Sequence, residues 1–375
     1  MPPKQMGTVW EADPHTLAKI EILSGYLDAW FRVLGATRRG QPLLYVDGFA
    51  GPGEYRNPAL GSPLAALVAA SRARAELGPR WVAGDVHCVF IEPDADRRTN
   101  LQQCLAAAGS ARGIKVAVLA SEFEAGMREV VRRMPVFFTQ QYPLFVFIDP
   151  FGASDVPFSL VAEVLRSPCS EVLINLDADG AARIFGAKGA ADHERLLDRL
   201  FGDRSWATTL DHHQPFSAQC RAVLRLYTER LRSVGVGYVY PFEMQGRTGT
   251  LNYYLVFASK HPLGLEKMKE AMRQIDGSGA YRFSDARVHQ PTLLRFDDPE
   301  AYADELFAQF CGTTAGYAAL RAFALNQTPF TNPKKMLARL ERDDRLAVLG
   351  APATRRKGTF GQPDGWRFVF RSPAP

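Results

Sequence analysis

Cysteine is scarce in this chain, five among 375 residues. Cys88, Cys104, Cys169, Cys220 and Cys311 are scattered, with no C-x-x-C pair. An odd, dispersed set supports neither a disulfide framework nor a zinc site; these are expected to be small buried hydrophobes. Long apolar runs are also missing. Nothing approaches the ~20 uncharged residues that a membrane-spanning helix needs. Met1 to Met6 lacks the apolar core of a secretory signal. The expectation is a cytoplasmic protein with no membrane partner. One-signed charge is small overall, a net of +5, but it is unevenly placed. Between Thr331 and Pro375 stand ten Lys or Arg and four Asp or Glu. That segment carries the whole excess, which points to an anionic partner.

What is present is a regular alternation. His15–Leu34 has apolar residues at helical spacing and ends at Gly35. Short apolar strands then follow at Leu43–Asp47, His87–Glu92, Ile114–Leu119, Leu144–Asp149 and Glu171–Leu176, separated by helical stretches. Such alternation predicts a parallel sheet covered on both faces. Tyr238–Met244 and Leu251–Ala258 flank a turn at 245–250 and read as an antiparallel hairpin. The fold expected is α/β: a Rossmann-like class I methyltransferase sheet, mostly parallel with a terminal antiparallel hairpin. This domain should occupy residues 1–295, with a helical segment at 13–35 and a helical insertion at about 178–236. So long an excursion reads as a cap at a substrate entrance. Residues 296–375 change texture: three successive helices and two short strands surround a basic loop at 354–359, which is a winged-helix-like outline.

The first strand ends in Asp47 and breaks into Gly48-Phe49-Ala50-Gly51-Pro52-Gly53. Ligands of open α/β sheets bind at that strand edge, and glycines admit a close backbone approach. An acid beside the turn suits a cationic or zwitterionic cofactor, such as S-adenosylmethionine. The expected cofactor residues are Asp47, Gly48, Phe49, Ala50, Gly51, Gly53, Glu92, Glu122, Phe123 and Asp149. Glu92 would take the ribose hydroxyls, and Glu122 or Phe123 would sit by the adenine.

Directly after the fourth strand comes Asp149-Pro150-Phe151-Gly152. An acid, a proline and an aromatic ring at this place fit transfer to an exocyclic amine. A carboxylate accepting the amine's hydrogens localises its lone pair, and the ring supports an extruded base. Asp149, Pro150 and Phe151 are therefore the candidate catalytic residues. This motif resembles that of the tRNA guanine dimethyltransferases. Lys334, Lys335, Arg355, Arg356 and Lys357 are the candidate nucleic-acid contacts. Two other readings remain open at this stage. One is a non-catalytic nucleic-acid adaptor; the other is a metal-dependent nuclease using Asp47, Glu92 and Asp149 as oxygen ligands.

The chain as a whole resembles the three-Cys-motif partner (TcmP) family. The residues that carry this are His15, Lys19–Leu23, Tyr26-Leu27, Ala29-Trp30, Tyr45–Gly53, Gly61–Leu64, Ile148–Gly152, Ile174–Leu176 and Tyr253–Leu255. The resemblance implies a methyltransferase-like domain and a partner protein bearing a radical-SAM-type cysteine motif. This chain carries no such motif itself.

Overall fold

The run Leu43–Asp47 forms strand β1, buried along its whole length, in a computed structural model. The structure describes residues 7–57, 59–109, 111–150, 156–187, 191–245, 251–275, 282–284 and 298–372. They fall into two units. One reaches Ile275 and includes Arg282–Ser284; the other contains Asp298–Ser372. The predicted turn at 245–250 lies mostly outside the described residues, and Phe151 and Gly152 lie outside them entirely.

In the first unit the remaining strands are β2 (Val86–Ile91), β3 (Ile114–Leu119), β4 (Leu144–Ile148), β5 (Ser170–Leu176), β6 (Tyr238–Gln245), β7 (Leu251–Ser259) and β8 (Arg282–Ser284). They form one sheet in the order β3-β2-β1-β4-β5-β7-β6-β8. The first five are parallel. β7 lies antiparallel between β5 and β6, and β8 runs parallel to β6. A parallel 3-2-1-4-5 sheet closed by an inserted antiparallel seventh strand is the Rossmann-like methyltransferase arrangement. β8 was not expected; three residues are too few to show a period.

Helix α1 (Pro14–Thr37) starts where the Asp13 carboxylate accepts the Thr16 N–H at 2.7 Å. Its buried face, Ile22, Leu23, Tyr26, Leu27, Trp30 and Phe31, recurs every three to four residues. A part-buried carboxylate ties this helix to the sheet. Glu171, near the start of β5, accepts hydrogen bonds from Tyr26 Oη at 2.7 Å, Trp30 Nε1 at 2.8 Å and Ser259 Oγ at 2.6 Å. Burial pushes its carboxyl above the usual range, and the three donors oppose that shift.

Helices α2 (Ser62–Leu77), α3 (Ala95–Ala108), α4 (Phe123–Arg133), α5 (Val136–Thr139) and α6 (Phe158–Arg166) follow their strands. The stretch 178–236 contains α7 (Ala178–Gly186), α8 (Ala191–Phe201), α9 (Trp206–Thr209) and α10 (Phe216–Ser233). This stretch packs against the sheet. Leu197, Leu200, Phe201, Trp206, Val223, Leu226 and Leu231 are buried in one cluster with β1, β4, β5 and β7 residues, so these helices form a layer of the core. Its amphipathic helices needed a face to bury, and the sheet supplies one. Helix α11 (Pro262–Ile275) packs on α1.

The second unit runs from a 3-10 turn (Pro299–Tyr302) through α12 (Ala303–Phe310), β9 (Thr314–Gly316), α13 (Tyr317–Gln327) and α14 (Lys334–Arg342) to β10 (Leu346–Leu349) and β11 (Arg367–Phe370). Its three strands pair antiparallel in the order β10-β11-β9. Leu306, Leu320, Leu337, Leu340, Phe368 and Phe370 make its own core.

Candidate active site at the carboxyl edge of the sheet

Asp47 ends β1 with no solvent exposure. Its Oδ1 accepts the Phe49 N–H at 3.2 Å, and Tyr45 Oη approaches its Oδ2 at 3.5 Å. Burial is the chief reason its carboxyl is pushed up to about 7; hydrogen bonds from Ser62 and Phe49 pull it down, and the charge of Asp149 pushes it further up. Among the described residues no Lys, Arg or His forms an ion pair with it. A buried carboxylate without a cation is costly.

The chain then bends through the glycine loop. Gly51 and Gly53 have φ of +64° and +88°, where only glycine is unstrained. A Cβ on Gly51 would meet nothing within 4 Å, so its backbone faces open space; one on Gly53 would strike Leu101 Cδ1 at 2.9 Å. The loop is held from several sides. Ala50 N–H donates to the Ile91 carbonyl at 3.0 Å, and Asn100 Nδ2 donates to the Pro52 carbonyl at 2.8 Å. Glu92, just beyond β2 and buried, accepts the Gly51 N–H at 2.9 Å through Oε2 and the Asp94 N–H at 2.9 Å through Oε1. Burial raises its carboxyl and these N–H donors lower it.

Residues 10–12 lie along the far side of this loop. Ala12 and Asn57 exchange two hydrogen bonds, of 2.8 and 3.1 Å. The Trp10 and Tyr55 rings meet edge to face at 5.8 Å, and the Arg97 guanidinium lies 5.0 Å from the Trp10 ring centre. Burial raises the Tyr55 phenol, and the charges of Asp149 and Asp47 add to it.

Glu122 is exposed ahead of α4. Phe123 is buried and stacks on Phe49 at 5.1 Å, filling the space that a Cβ on Gly48 would need. Glycine at position 48 is thus required by the packing of the ring that the sequence placed beside the adenine.

Asp149 follows β4 at the same edge, but its carboxylate is engaged. Lys19 Nζ of α1 donates to Oδ1 at 2.8 Å and Oδ2 at 2.7 Å, and Asn175 Nδ2 of β5 donates to Oδ1 at 2.7 Å. The Lys19 ammonium also lies 5.2 Å from the Tyr253 ring centre, and His15 contacts Tyr253 and Phe283 at 5.7 and 5.4 Å. Sequence reasoning gave Lys19, Asn175 and Tyr253 no role. They lie in segments that carry the family resemblance, yet no spacing joins residues 130 and 26 positions from Asp149. With Asp149 neutralised by Lys19, the three-acid metal site expected of a nuclease does not form. No group of three His, Cys, Asp or Glu side chains among the described residues is placed to hold a metal.

A cavity of about 500 Å³ opens at the opposite edge of the sheet, where Trp30, Arg38, Ser170, Glu171, Lys260 and Gly264 line it. It lies at the strand starts, away from Asp47, and the glycine loop takes no part in it.

In the second unit the candidate basic residues divide. Arg355 pairs with the buried Glu341 and lies over the Phe360 and Trp366 rings, so it is a structural ion. Lys334 Nζ donates to the Gly361 carbonyl at 3.0 Å, which brings the start of α14 beside the 354–361 loop. Lys335, Arg356 and Lys357 are exposed. No ion pair holds them among the described residues.

No family model and no curated protein sequence matches the chain. Solved structures are similar at low levels. Trm1 from Pyrococcus horikoshii, in complex with S-adenosyl-L-methionine, is 11% identical over 73% of this chain and 75% of its own, with a TM-score of 0.35. An O-methyltransferase from Bacillus cereus in complex with SAH is 11% identical over 63% and 80%, with a TM-score of 0.33. The O-methyltransferase TomG from Streptomyces achromogenes, in complex with SAM, is 16% identical over 67% and 92%, with a TM-score of 0.32. Likenesses this distant carry no functional argument.

Proposed function

We propose that this protein is an S-adenosylmethionine-dependent methyltransferase acting on an exocyclic amine of a nucleic acid. The observation that carries the reading is Asp47: a fully buried carboxylate, paired with no cation among the described residues, beside a glycine turn where a Cβ on Gly51 would meet nothing within 4 Å. A ligand with an ammonium or sulfonium group supplies the missing charge. Glu92 uses one lone pair of each oxygen on backbone N–H groups and keeps capacity for two ribose hydroxyls. S-adenosylmethionine supplies an electrophilic methyl group; its transfer to an amine nitrogen breaks the carbon–sulfur bond, leaves the electron pair on sulfur and releases a proton to water. The chain's residues hold the reactants in line, which supplies most of the acceleration in such a transfer. This reading assigns the acceptor side to Asp149 and Pro150, directly beyond β4, and by sequence to Phe151 after them.

The carboxyl-terminal unit reads as a winged helix, with β9 between its first two helices and β10–β11 as the wing. Of its ten cations from Thr331 onward, Arg339, Arg342, Arg345, Arg355 and Arg371 are paired with Asp or Glu. The exposed remainder includes Lys335, Arg356 and Lys357, on the start of α14 and the loop beside it. Such a cluster suits phosphates. The resemblance to the three-Cys-motif partner family adds a radical-SAM-type protein as partner.

Incubation of the full chain with methyl-tritiated S-adenosylmethionine and separate pools of cellular RNA and DNA should label one pool. The R356E/K357E double variant should weaken nucleic-acid binding and lower the salt slope by about two. No label in either pool, alone or with the cysteine-motif partner present, contradicts the reading.

A further inference from the structure

Asp149 is the acid that the sequence assigns to the acceptor amine, yet three of its roughly four lone-pair positions are already taken by neighbouring side chains. Lys19 spans both oxygens, and Asn175 takes a further position on Oδ1. This arrangement fixes the Asn175 amide. A carboxylate only accepts hydrogen bonds, so the amide must turn its NH2 toward Asp149. The reversed amide would set oxygen against oxygen. The Asn175 oxygen therefore points away from Asp149, and it is buried with no hydrogen-bond partner. Leaving such an acceptor unpaired is costly, so an N–H group arriving there is welcomed.

The position suits the chemistry. Asn175 and Ile174 lie near the end of β5, and Ile174 is in register with Ile148, the last residue of β4. Asp149 in turn is close enough to Asp47 to raise its carboxyl. His15 meets both the Tyr253 and Phe283 rings, and Lys19 lies by Tyr253, so aromatic side chains stand on the Lys19 side.

Resting on the methyltransferase reading above, we propose that Asn175 Oδ1, and not Asp149, accepts a hydrogen of the substrate's ring-borne amine. Lys19 and Asp149 are positioning residues. They neutralise each other and lock the amide so that its oxygen is turned away from Asp149 and left free to accept. A neutral carbonyl there orients an amine without holding it as an ammonium, which has no lone pair to donate.

The test needs no identified substrate. Sinefungin carries an amine in place of the transferable methyl group, whereas S-adenosylhomocysteine has nothing there. Calorimetric titration of the full chain should show sinefungin binding about tenfold tighter than S-adenosylhomocysteine, the worth of a hydrogen bond to a charged donor. Asn175→Val and Asn175→Ala should each bring the two ligands to parity while S-adenosylhomocysteine affinity stays within twofold. Two substitutions of different size guard against a single misfolded variant, and circular dichroism checks both. Equal affinities in the unsubstituted protein, or a sinefungin advantage that survives both substitutions, overturns the role of Asn175. No binding of either ligand overturns the cofactor reading instead.

Discussion

A carboxylate with no cation beside it has a measurable signature in pH. Asp47 titrates at about 7 in the folded protein against an ordinary value of 3.8. Between those values the folded chain holds a proton that the unfolded chain has released. Stability from this group is therefore greatest at low pH and is lost as pH rises toward 7. The gap corresponds to about 4 kcal/mol above pH 7. Burial raises the carboxyls of Glu92 and Glu171 as well, so they act with the same sign. Asp47→Asn removes the Asp47 part. Thermal melts without ligand should show the unsubstituted protein losing stability from pH 5 to pH 8, and D47N melting higher than it at pH 8. A variant less stable at pH 8 would mean that Asp47 is not a buried charge in want of a cation. The sequence placed Asp47 and the glycines at a strand edge because strand, acid and turn are contiguous. It left the Lys19–Asp149–Asn175 cluster unread because those three meet only through the packing of α1 over β4 and β5.

At the scale of elements, the five parallel strands were legible as short apolar runs separated by helical stretches. β1 and β3 fall at the residues expected, and β4 falls one residue short. β8 and β9, three residues each, carried no period. Helix α11 also went unassigned. The 178–236 segment was read as helical, but its packing was not; amphipathic helices show that they bury a face, not which surface buries it. The fixing of α1 is likewise a tertiary event, and it rests on Glu171. Glu171→Ala leaves the Tyr26, Trp30 and Ser259 donors without their acceptor and should cost about 3 kcal/mol in urea unfolding. Because α1 also delivers Lys19, the same substitution should weaken ligand binding at the far edge of the sheet. A loss under about 0.5 kcal/mol, the ordinary range of surface changes, would show that α1 is held by its apolar face alone.

At the scale of the molecule, charge is divided between two units. The basic excess sits after Thr331, while the sheet's carboxyl edge is acidic at Asp47, Tyr55 being raised further by the acids around it. The proposed function assigns the first to phosphate and the second, at the buried Asp47, to a cation. Charge counts made this division visible in the sequence, but not that half of the tail's cations are spent on internal ion pairs. The two roles are consistent with a chain that grips a polyanion and methylates it. Calorimetric titration of S-adenosylmethionine into the intact protein and into D47N, at pH 6 and pH 8, tests the central claim most directly. The account predicts one ligand per chain, bound more tightly at pH 8 as Asp47 ionises, and at least tenfold weaker in D47N, about the worth of one charge-assisted hydrogen bond. Absence of binding at both pH values, or equal affinity in the two proteins, would contradict it.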